Sequence, residues 1–371
     1  TDFCLRWFDL AERLLDSAAA VERAGIQIDI RIGDYQDAHP NTYRLTLSNS
    51  RETHRMIALS TGGGMIEVVA IDDIPLSIAG DYFVTLIAVR AVDMDIHETL
   101  ERNVAAEEIL LHAGCGGSLI EVRSREPLPA EVAARLAGLK EAVWMRTLGP
   151  VLPVLSRRGL QVPFITCRQM MEWNRGRRLD LAALATAYES ARAGIPEAEV
   201  EDRMQAIVGI LRRSLSQGIA GTRFADRILG VQSAGFKSAM RNGALLDAGM
   251  LNAMILYVTA LMEVKSAMGV IVASPTAGAC GCLPAAVLAA AEALGRPERD
   301  MVRAMLAAGM VGVFISAHAT FAAELGGCLA ECGAGSGMAA AALVTLAGGS
   351  AQQAADAAAM AVQNVLGLIC D

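Results

Sequence analysis

The sequence of 371 residues has few aromatic side chains, few cysteines and no excess of positive charge. Only 4% of the residues are aromatic, and the formal net charge is −8. An acidic chain does not attract nucleic acid or an anionic membrane surface, so we expect neither as a partner. The eight cysteines are too few for a disulfide scaffold, and none are spaced C-x-x-C as in zinc ribbons or ferredoxins. We therefore expect a cytoplasmic protein with reduced thiols.

Charged residues are missing from two long stretches, 266–291 and 304–323. Both are long enough to cross a membrane. The first contains Pro275 and Pro284, however, and neither is flanked by an aromatic belt or a basic cluster. A buried helical core explains them better than a bilayer, and a pore-forming or transporter fragment is the minor alternative.

The two ends also lack features. The first residue is not methionine, residues 1–23 lack the apolar core of a signal peptide, and residues 368–371 lie in an apolar run without a tail. We expect the sequence to be the middle of a longer chain.

Apolar residues, in contrast, are abundant at 53%, which excludes a disordered chain. The length allows two or three domains. Before about residue 155 the patterns alternate between period 2 and helical spacing. They predict strands at 43–47, 66–71, 82–89, 118–122 and within 142–154, and helices at 97–112 and 129–139. This order indicates small α/β sandwich domains with helices on one face.

Three glycines in the segment 60–64 lie between two predicted strands. They suit a simple hairpin turn or an anion-binding loop equally well. Beyond residue 155 the strand signal ends, and residues 200–215 follow helical spacing after Pro196. The later helices are apolar on all sides, as in the centre of a bundle. The fold class predicted is α+β, with α/β sandwich domains followed by an all-α domain.

Five cysteines lie at or near glycine-rich breaks in the last quarter of the chain: Cys280, Cys282, Cys328, Cys332 and Cys370. Cysteine is a common small core residue. Backbone amides at such breaks also donate to anionic sulfur or to a carboxylate, so a functional site is the other interpretation.

Several ionisable residues accompany these cysteines. Lys265 is either a side chain that extends to solvent from a helix end or a buried amine suited to acid–base work. His318 is either a satisfied core residue or a catalytic one. Glu324 and Glu331 flank Cys328, as helix-terminus carboxylates or as partners of a metal.

Four segments in the last hundred residues carry recognisable motifs: 274–285 (SPTAGACGCLPA), 326–331 (GGCLAE), 336–342 (SGMAAAA) and 364–371 (NVLGLICD). They resemble the catalytic, α-type part of the iron–sulfur-dependent L-serine dehydratases. Residues 39–42 (HPNT) and 60–67 (STGGGMIE) resemble the β-type part, and residues 80–154 resemble its ACT-like module. The resemblance implies a β-type α/β domain at 1–79 that lacks its front part. An ACT-like module at 80–155 and an all-helical catalytic domain at 156–371, lacking its C-terminal part, would follow.

The resemblance also implies a [4Fe-4S] cluster held by three cysteines, with one iron left open. Cys328 and Cys370 match two of the family's ligands, and the third, in a Pro-Cys pair, would fall beyond Asp371. The family loop that holds the substrate is matched by Ser274, Thr276, Ala277 and Gly278.

The implied reaction is β-elimination from L-serine or a related β-substituted amino acid, giving a 2-oxo acid and ammonia. Hydroxide leaves badly, and an open iron is a Lewis acid that assists it. A base must take the α-proton, and Lys265 and His318 are the candidates. Pyridoxal phosphate does similar chemistry elsewhere, but no phosphate-cup motif is present.

The sequence departs from the family near the expected pocket. Lys265 and His318 stand where relatives show asparagine, Leu329 replaces a glutamine, and Cys332 replaces an apolar residue. Residues 320–323 are Thr-Phe-Ala-Ala where relatives typically show Ser-Ile-Ser-Gly. A bulkier substrate, or one with a second carboxylate to meet Lys265, is therefore a hypothesis.

Two further functions stay open. One is an L-cysteine desulfidase-like lyase of the same family. The other is a non-enzymatic zinc- or amino-acid-sensing protein whose zinc ligands would be Cys280, Cys282, Cys328 and Cys332. In either case we expect a homodimer, because α/β sandwiches often complete a sheet across a dimer.

Overall fold

The computed structural model describes residues 17–62, 65–90, 96, 100–102, 104–114, 117–139, 141–151, 159–224 and 230–367. Within these residues the protein is α+β, with two antiparallel sheets followed by a helical region. The predicted fold class is confirmed at this level. A short helix, α1 (Ser17–Arg23), precedes the sheets.

The first sheet is an antiparallel meander in the order β1-β2-β3-β4. Its strands are β1 (Thr42–Ser48), β2 (Thr53–Gly62), β3 (Met65–Ile71) and β4 (Ile74–Ile78). Ala58, Val68 and Ile71 are buried in a cluster that also takes Val84 and Leu86 from the second sheet. The two sheets therefore share one hydrophobic core.

The second sheet has the order β6-β7-β5-β8. Its strands are β5 (Phe83–Val89), β6 (Glu108–Gly114), β7 (Gly117–Ser124) and β8 (Ala142–Leu148), and α2 (Ala130–Ala137) precedes β8. Ile87, Ile120 and Leu136 pack together in a second cluster. Helix α2 therefore covers one face of this sheet.

The strands predicted at 43–47, 66–71, 82–89, 118–122 and within 142–154 are confirmed, and so is the helix at 129–139. The helix predicted at 97–112 is wrong in its second half, because residues 108–112 belong to β6. Ile109 and Leu111 pair there with Val122 and Ile120 of β7, and long-range pairing overrides a local apolar pattern that suits a helix equally well. Residues 97–99 and 103 lie outside the described residues.

Strands β2 and β4 were not anticipated. β2 runs through Ser60, Thr61 and Gly62, so part of the glycine segment belongs to a strand. Gly63 and Gly64 lie outside the described residues.

The helical region begins after residue 165. Its helices are α3 (Cys167–Trp173), α4 (Leu181–Ala193), α5 (Glu197–Ala220), α6 (Ser233–Arg241), α7 (Met250–Ser266), α8 (Cys282–Ala293), α9 (Glu298–His318), α10 (Ala323–Gly326), a 3-10 helix (Gly327–Ala330), α11 (Cys332–Leu346) and α12 (Ala351–Asn364). The helix predicted from residues 200–215 is α5, with Pro196 at its N-cap. Arg125 donates a hydrogen bond to the Ala193 carbonyl at 2.5 Å, which links the second sheet to this region.

Small residues let the helices approach closely. α8 is buried from Leu283 to Ala291, and a Cβ added at Gly218 of α5 would overlap the carbonyl of Ala260 on α7. Among the described helices, α9 is long and apolar enough to cross a membrane, and 50% of its apolar window is buried inside the protein. Core helices of soluble proteins share this property, so it is weak support for a membrane span.

Candidate active site

The segment 274–281 connects α7 to α8 and contains the predicted substrate loop. Ser274 and Thr276 are buried at 4% and 3% exposure, whereas Ala277 is exposed. The Ser274 amide donates to the Thr276 carbonyl at 3.1 Å, and the Ser274–Pro275 peptide is cis. The loop therefore buries its hydroxyl side chains and presents its backbone at Ala277.

Thr276 ties this loop to a distant part of the chain. Its hydroxyl donates to Oε1 of Glu331 at 3.2 Å and accepts from the Ala279 amide at 3.1 Å. A Cβ added at Gly278 would overlap the Glu331 carboxylate. Only glycine lets the loop backbone and this carboxylate come so close.

The turn that carries Glu331 also carries Cys328. Gly327 has a φ of 63°, a conformation that glycine adopts without strain, and it starts the 3-10 helix. The Glu331 amide donates to the Cys328 carbonyl at 3.1 Å. The backbone of Cys328 is thus held one turn from the carboxylate that contacts the predicted substrate loop.

The pKa of the Cys280 thiol depends on burial and on the charged groups around the loop. Burial raises the pKa of its thiol to about 11, with the Lys265 ammonium opposing this effect and the Glu331 carboxylate adding to it. The thiol lies 3.7 Å from the sulfur of Met262. Lys265 and Glu331 therefore both act electrostatically on one loop side chain, and the last turn of α7, the loop and the 3-10 helix converge.

Two consecutive backbone N–H groups in this loop are available to a ligand. Within the described part of the chain, the N–H groups of Ala277 and Gly278 donate no hydrogen bond. Successive backbone amides of this kind bind anions such as a carboxylate. Oε2 of Glu331 accepts no hydrogen bond from a described residue either, so it can receive a cation. The site offers complementary groups for the two charges of an amino acid.

Residues 176–371 match the family model described as the serine dehydratase alpha chain, which covers the whole candidate site. The chain belongs to this family. An L-serine dehydratase alpha chain from Peptoniphilus asaccharolyticus is 32% identical over 208 residues, which are 56% of this chain and 71% of the relative. A probable alpha chain from Bacillus subtilis is 29% identical, covering 56% and 69%. An L-serine dehydratase from Streptomyces coelicolor is 30% identical over 59% of this chain and 48% of its own.

In this serine dehydratase alpha-chain fold, the two candidate bases differ in placement. Lys265 is half-buried at the end of α7 beside the loop. His318 is exposed at the end of α9, and its Nδ1 lies 2.9 Å from the Phe314 carbonyl of its own helix. The described hydrogen bonds of His318 do not reach the loop. The structure brings Lys265 together with the predicted loop, whereas the described hydrogen bond of His318 is to its own helix.

The structure describes only one of the two predicted metal ligands. Cys328 lies one turn from Glu331, and cysteine sulfur is the kind of donor that iron–sulfur clusters take. Its sulfur is disulfide-bonded in the structure. Cys370 lies outside the described residues. Within the described ranges, no three His, Cys, Asp or Glu side chains are grouped to hold a metal ion. The expectation of reduced thiols is thus wrong for Cys328, which would have to be reduced to a thiolate before it could bind a cluster. The described residues do not complete a ligand set.

The same finding applies to the zinc hypothesis. Cys280, Cys282, Cys328 and Cys332 are all described, and they do not form a metal-holding group. Cys280 is buried against Met262, whereas Cys332 is exposed and free. The structure gives no support to a zinc site built from these four residues.

The sequence did not reveal a contact between the amino-terminal region and the helical region. The side chain of Asn41 lies near Glu324 and lowers the pKa of that carboxyl, and His39 adds a smaller favourable charge effect. Glu324 lies on α10, four residues before Cys328. The motif at 39–42, identified in the sequence as β-type, is thus next to the segment that leads into the candidate site.

Proposed function

We propose that this chain catalyses the β-elimination of water from L-serine, followed by deamination to pyruvate and ammonia. The convergence of the loop at Gly278 with Glu331, inside a region that belongs to the serine dehydratase alpha-chain family, carries the proposal. L-Serine is a zwitterion with a short polar side chain. The site presents two unpaired amides for its carboxylate and a carboxylate for its ammonium group.

In this arrangement the amides of Ala277 and Gly278 hold the substrate carboxylate, and Oε2 of Glu331 receives the ammonium group. Thr276 does not contact the substrate, because its hydroxyl is used by Glu331 and Ala279. Ser274 is buried and donates to the Val272 carbonyl at 3.3 Å. Both hydroxyls fix the loop, so the recognition groups belong to its backbone.

Lys265 is our candidate for the base that takes the α-proton. It lies beside the loop and makes no ion pair with a described residue. A lysine must lose its own proton before it accepts another, and positioned bases of this kind contribute about 10²–10⁴-fold to a rate. Loss of the α-proton and of the β-hydroxyl gives an enamine, which becomes an imine and is hydrolysed to pyruvate and ammonia.

We propose a [4Fe-4S] cluster as cofactor, with Cys328 and Cys370 among its ligands and the third ligand unassigned. When bound, such a cluster supplies a Lewis acid for the leaving hydroxyl. The support is the family membership and the position of Cys328 one turn from Glu331, which contacts the loop.

The proposed domains are the β-type part at 1–79, an ACT-like module at 80–155 and the catalytic part at 156–371. The β6-β7-β5-β8 order and the β-β-α-β succession after β5 support the second of these, because they match the ferredoxin-like arrangement. We also propose a cytoplasmic homodimer. Its support is β1, an edge strand on which Tyr43, Leu45 and Leu47 are all exposed.

The test is an anaerobic assay of pyruvate and ammonia, with L-serine, L-threonine, L-cysteine and D-serine as substrates. We expect L-serine to be preferred, Lys265→Met to lower kcat and His318→Gln to leave it near wild type. Iron and inorganic sulfide should be lost in Cys328→Ser and kept in the matched control Cys167→Ser, since Cys167 lies on α3, outside the loop and the 3-10 helix. Faster turnover of another substrate, or equal loss in both lysine and histidine variants, would contradict the assignment.

A further inference from the structure

The segment 26–32, which we call the isoleucine segment, precedes the first sheet and alternates apolar and polar residues. Its sequence is IQIDIRI, with isoleucine at every second position. This period of 2 is typical of a strand with one apolar face. In the structure these residues belong to no helix or strand, and the backbone of residues 27–32 makes no hydrogen bond to a described residue. The isoleucines are exposed, from 58% at Ile26 to 99% at Ile32. The isoleucine segment therefore has the pattern of a strand without being part of a sheet.

Strand β1 is the edge of the first sheet and pairs only with β2 among the described strands. Tyr43 lies opposite Ala58, and Leu45 lies opposite Met56. Ala58 is buried in the core that the two sheets share, and Met56 packs against this core. Because residues directly opposite each other in an antiparallel pair lie on the same face, Tyr43 and Leu45 are on the core face of the sheet. Both are nevertheless exposed, so the second sheet does not cover the core face at β1.

One antiparallel register matches the apolar residues of the isoleucine segment to those of β1. Both are seven residues long, and in both the apolar residues recur at every second position. The apolar pairs of this register are Ile26–Leu47, Ile28–Leu45 and Ile30–Tyr43. The isoleucines then extend the core face by one strand, because all of them lie on the side of the sheet that carries Met56.

The charged residues favour the same register. Asp29 stands opposite Arg44 in it, and opposite charges in such a pair attract. A shift by two residues puts Arg31 opposite Arg44 in one direction, where like charges repel, and the uncharged Gln27 in the other. Within the chain, Arg44 uses Nε and Nη2 for Asp37, at 3.2 and 2.5 Å, so its Nη1 is left for a second carboxylate.

We propose that the isoleucine segment of one protomer pairs in this register with β1 of a second copy of the chain. The exchange is reciprocal, because each copy offers one unpaired segment and one free edge. An added strand of this kind binds through main-chain hydrogen bonds, and its alternate side chains give specificity. The inference rests on the proposed homodimer and names the two surfaces that form it.

Disulfide cross-linking of the full chain tests the exchange. Two versions with different affinity tags are produced in the same cells, one with Ile28→Cys and the other with Leu45→Cys, and are treated with oxidised glutathione. We expect a covalent dimer that carries both tags, since the side chains of a cross-strand pair are close enough to bridge. Thr46→Cys replaces Leu45→Cys in the matched control. Its side chain points to the opposite face of the strand, so the yield should be at least about tenfold lower.

The outcomes separate the exchange from the homodimer itself. A dimer in analytical ultracentrifugation that cross-links no better than the control would overturn the exchange and leave the homodimer standing. A monomer would overturn both. Ile28→Cys and Leu45→Cys are also placed together in one chain. A disulfide that forms only within that chain would assign the isoleucine segment to its own β1 and overturn the proposal.

Charge reversal tests the register. Asp29→Arg puts two like-charge pairs into each dimer, so the dimer dissociation constant should rise on the order of tenfold. Adding Arg44→Asp restores opposite charges and should return the constant to near the wild-type value. Asp202→Arg makes the same change of charge at an exposed position of α5 and should have no effect. An unchanged constant in Asp29→Arg, or no recovery in the double variant, would overturn this register.

Discussion

The hydroxyl of Thr276 donates to the carboxylate of Glu331 at 3.2 Å, across 55 residues of sequence. The same oxygen accepts from the Ala279 amide at 3.1 Å. One side chain thus holds the α7–α8 loop together internally and fastens it to the turn that carries Cys328. The loop and the cysteine depend on each other through this link.

Replacing Thr276 by valine keeps the shape of the side chain and removes both hydrogen bonds. We expect a loss of about 1–3 kcal/mol in the free energy of unfolding, because the buried Ala279 amide and Glu331 lose a partner. Urea denaturation measures the change. Thr276→Ser keeps the hydroxyl and serves as the matched control. Equal stability of the valine and serine variants would show that the link contributes nothing.

Gly278→Ala tests how closely the loop must approach Glu331. The added methyl overlaps the carboxylate, so either the loop or Glu331 has to move. Displacing a positioned group by this amount costs on the order of 10²-fold in rate, and we expect kcat to fall accordingly while the helices stay folded. Gly235→Ala adds a methyl where space is open and should leave kcat unchanged. A fully active Gly278→Ala enzyme would exclude this loop from the site.

The sequence predicted the α+β class because period-2 patterns end near residue 155 and all-round apolar helices follow. It failed at residues 108–112, where an apolar run suits a helix or a strand and only the pairing with β7 decides. Long-range hydrogen bonding is not encoded in a local pattern, and β2 and β4 were missed for the same reason.

In the candidate site too, local motifs could be predicted from the sequence and contacts between distant residues could not. The loop and Cys328 could be identified from their glycine-rich motifs. Glu331 was named only as a neighbour of Cys328, and its hydrogen bond with Thr276 depends on how α11 packs on α8. His318 looked equivalent to Lys265 in the sequence, because the direction of a side chain at a helix end is set by tertiary packing.

The buried thiol of Cys280 predicts a pH dependence of stability. Its pKa is about 11 in the folded protein, against an ordinary value of 9.0. As pH rises from about 9 to about 11, the unfolded chain loses this proton first, so stability falls over this range and is intact below it. The contribution is at most about 3 kcal/mol. Cys280→Ala should flatten the slope of unfolding free energy against pH.

Tyr257 also makes stability depend on pH in the alkaline range. Burial and its hydrogen bond to Glu292 raise its pKa to about 12. Its contribution begins above the ordinary value of 10.0, at higher pH than that of Cys280. Tyr257→Phe therefore alters the slope only at the alkaline end. An unchanged slope between about pH 9 and 10 in Cys280→Ala would contradict the assignment to this thiol.

The proposed homodimer predicts an effect of charge on β1. Leu45 is 40% exposed on the edge strand, between two other exposed apolar residues on the same face. A lysine there opposes edge pairing and apolar contact, so Leu45→Lys should shift the mass in analytical ultracentrifugation from dimer to monomer. Thr46→Lys puts the same charge on the opposite face of the strand as a control. A dimeric Leu45→Lys protein would exclude this edge as the interface.

The burial of α8 on every side, from Leu283 to Ala291, has a consequence for sequence change. An exposed helix accepts most residues on one face, but here each position is surrounded and most are alanine, so almost any larger side chain meets a neighbour. A library of random substitutions should therefore be depleted along the whole of α8 rather than at every third or fourth position. In the same selection experiment, α12 should be depleted only at its buried positions, Ala351, Ala354 and Ala358.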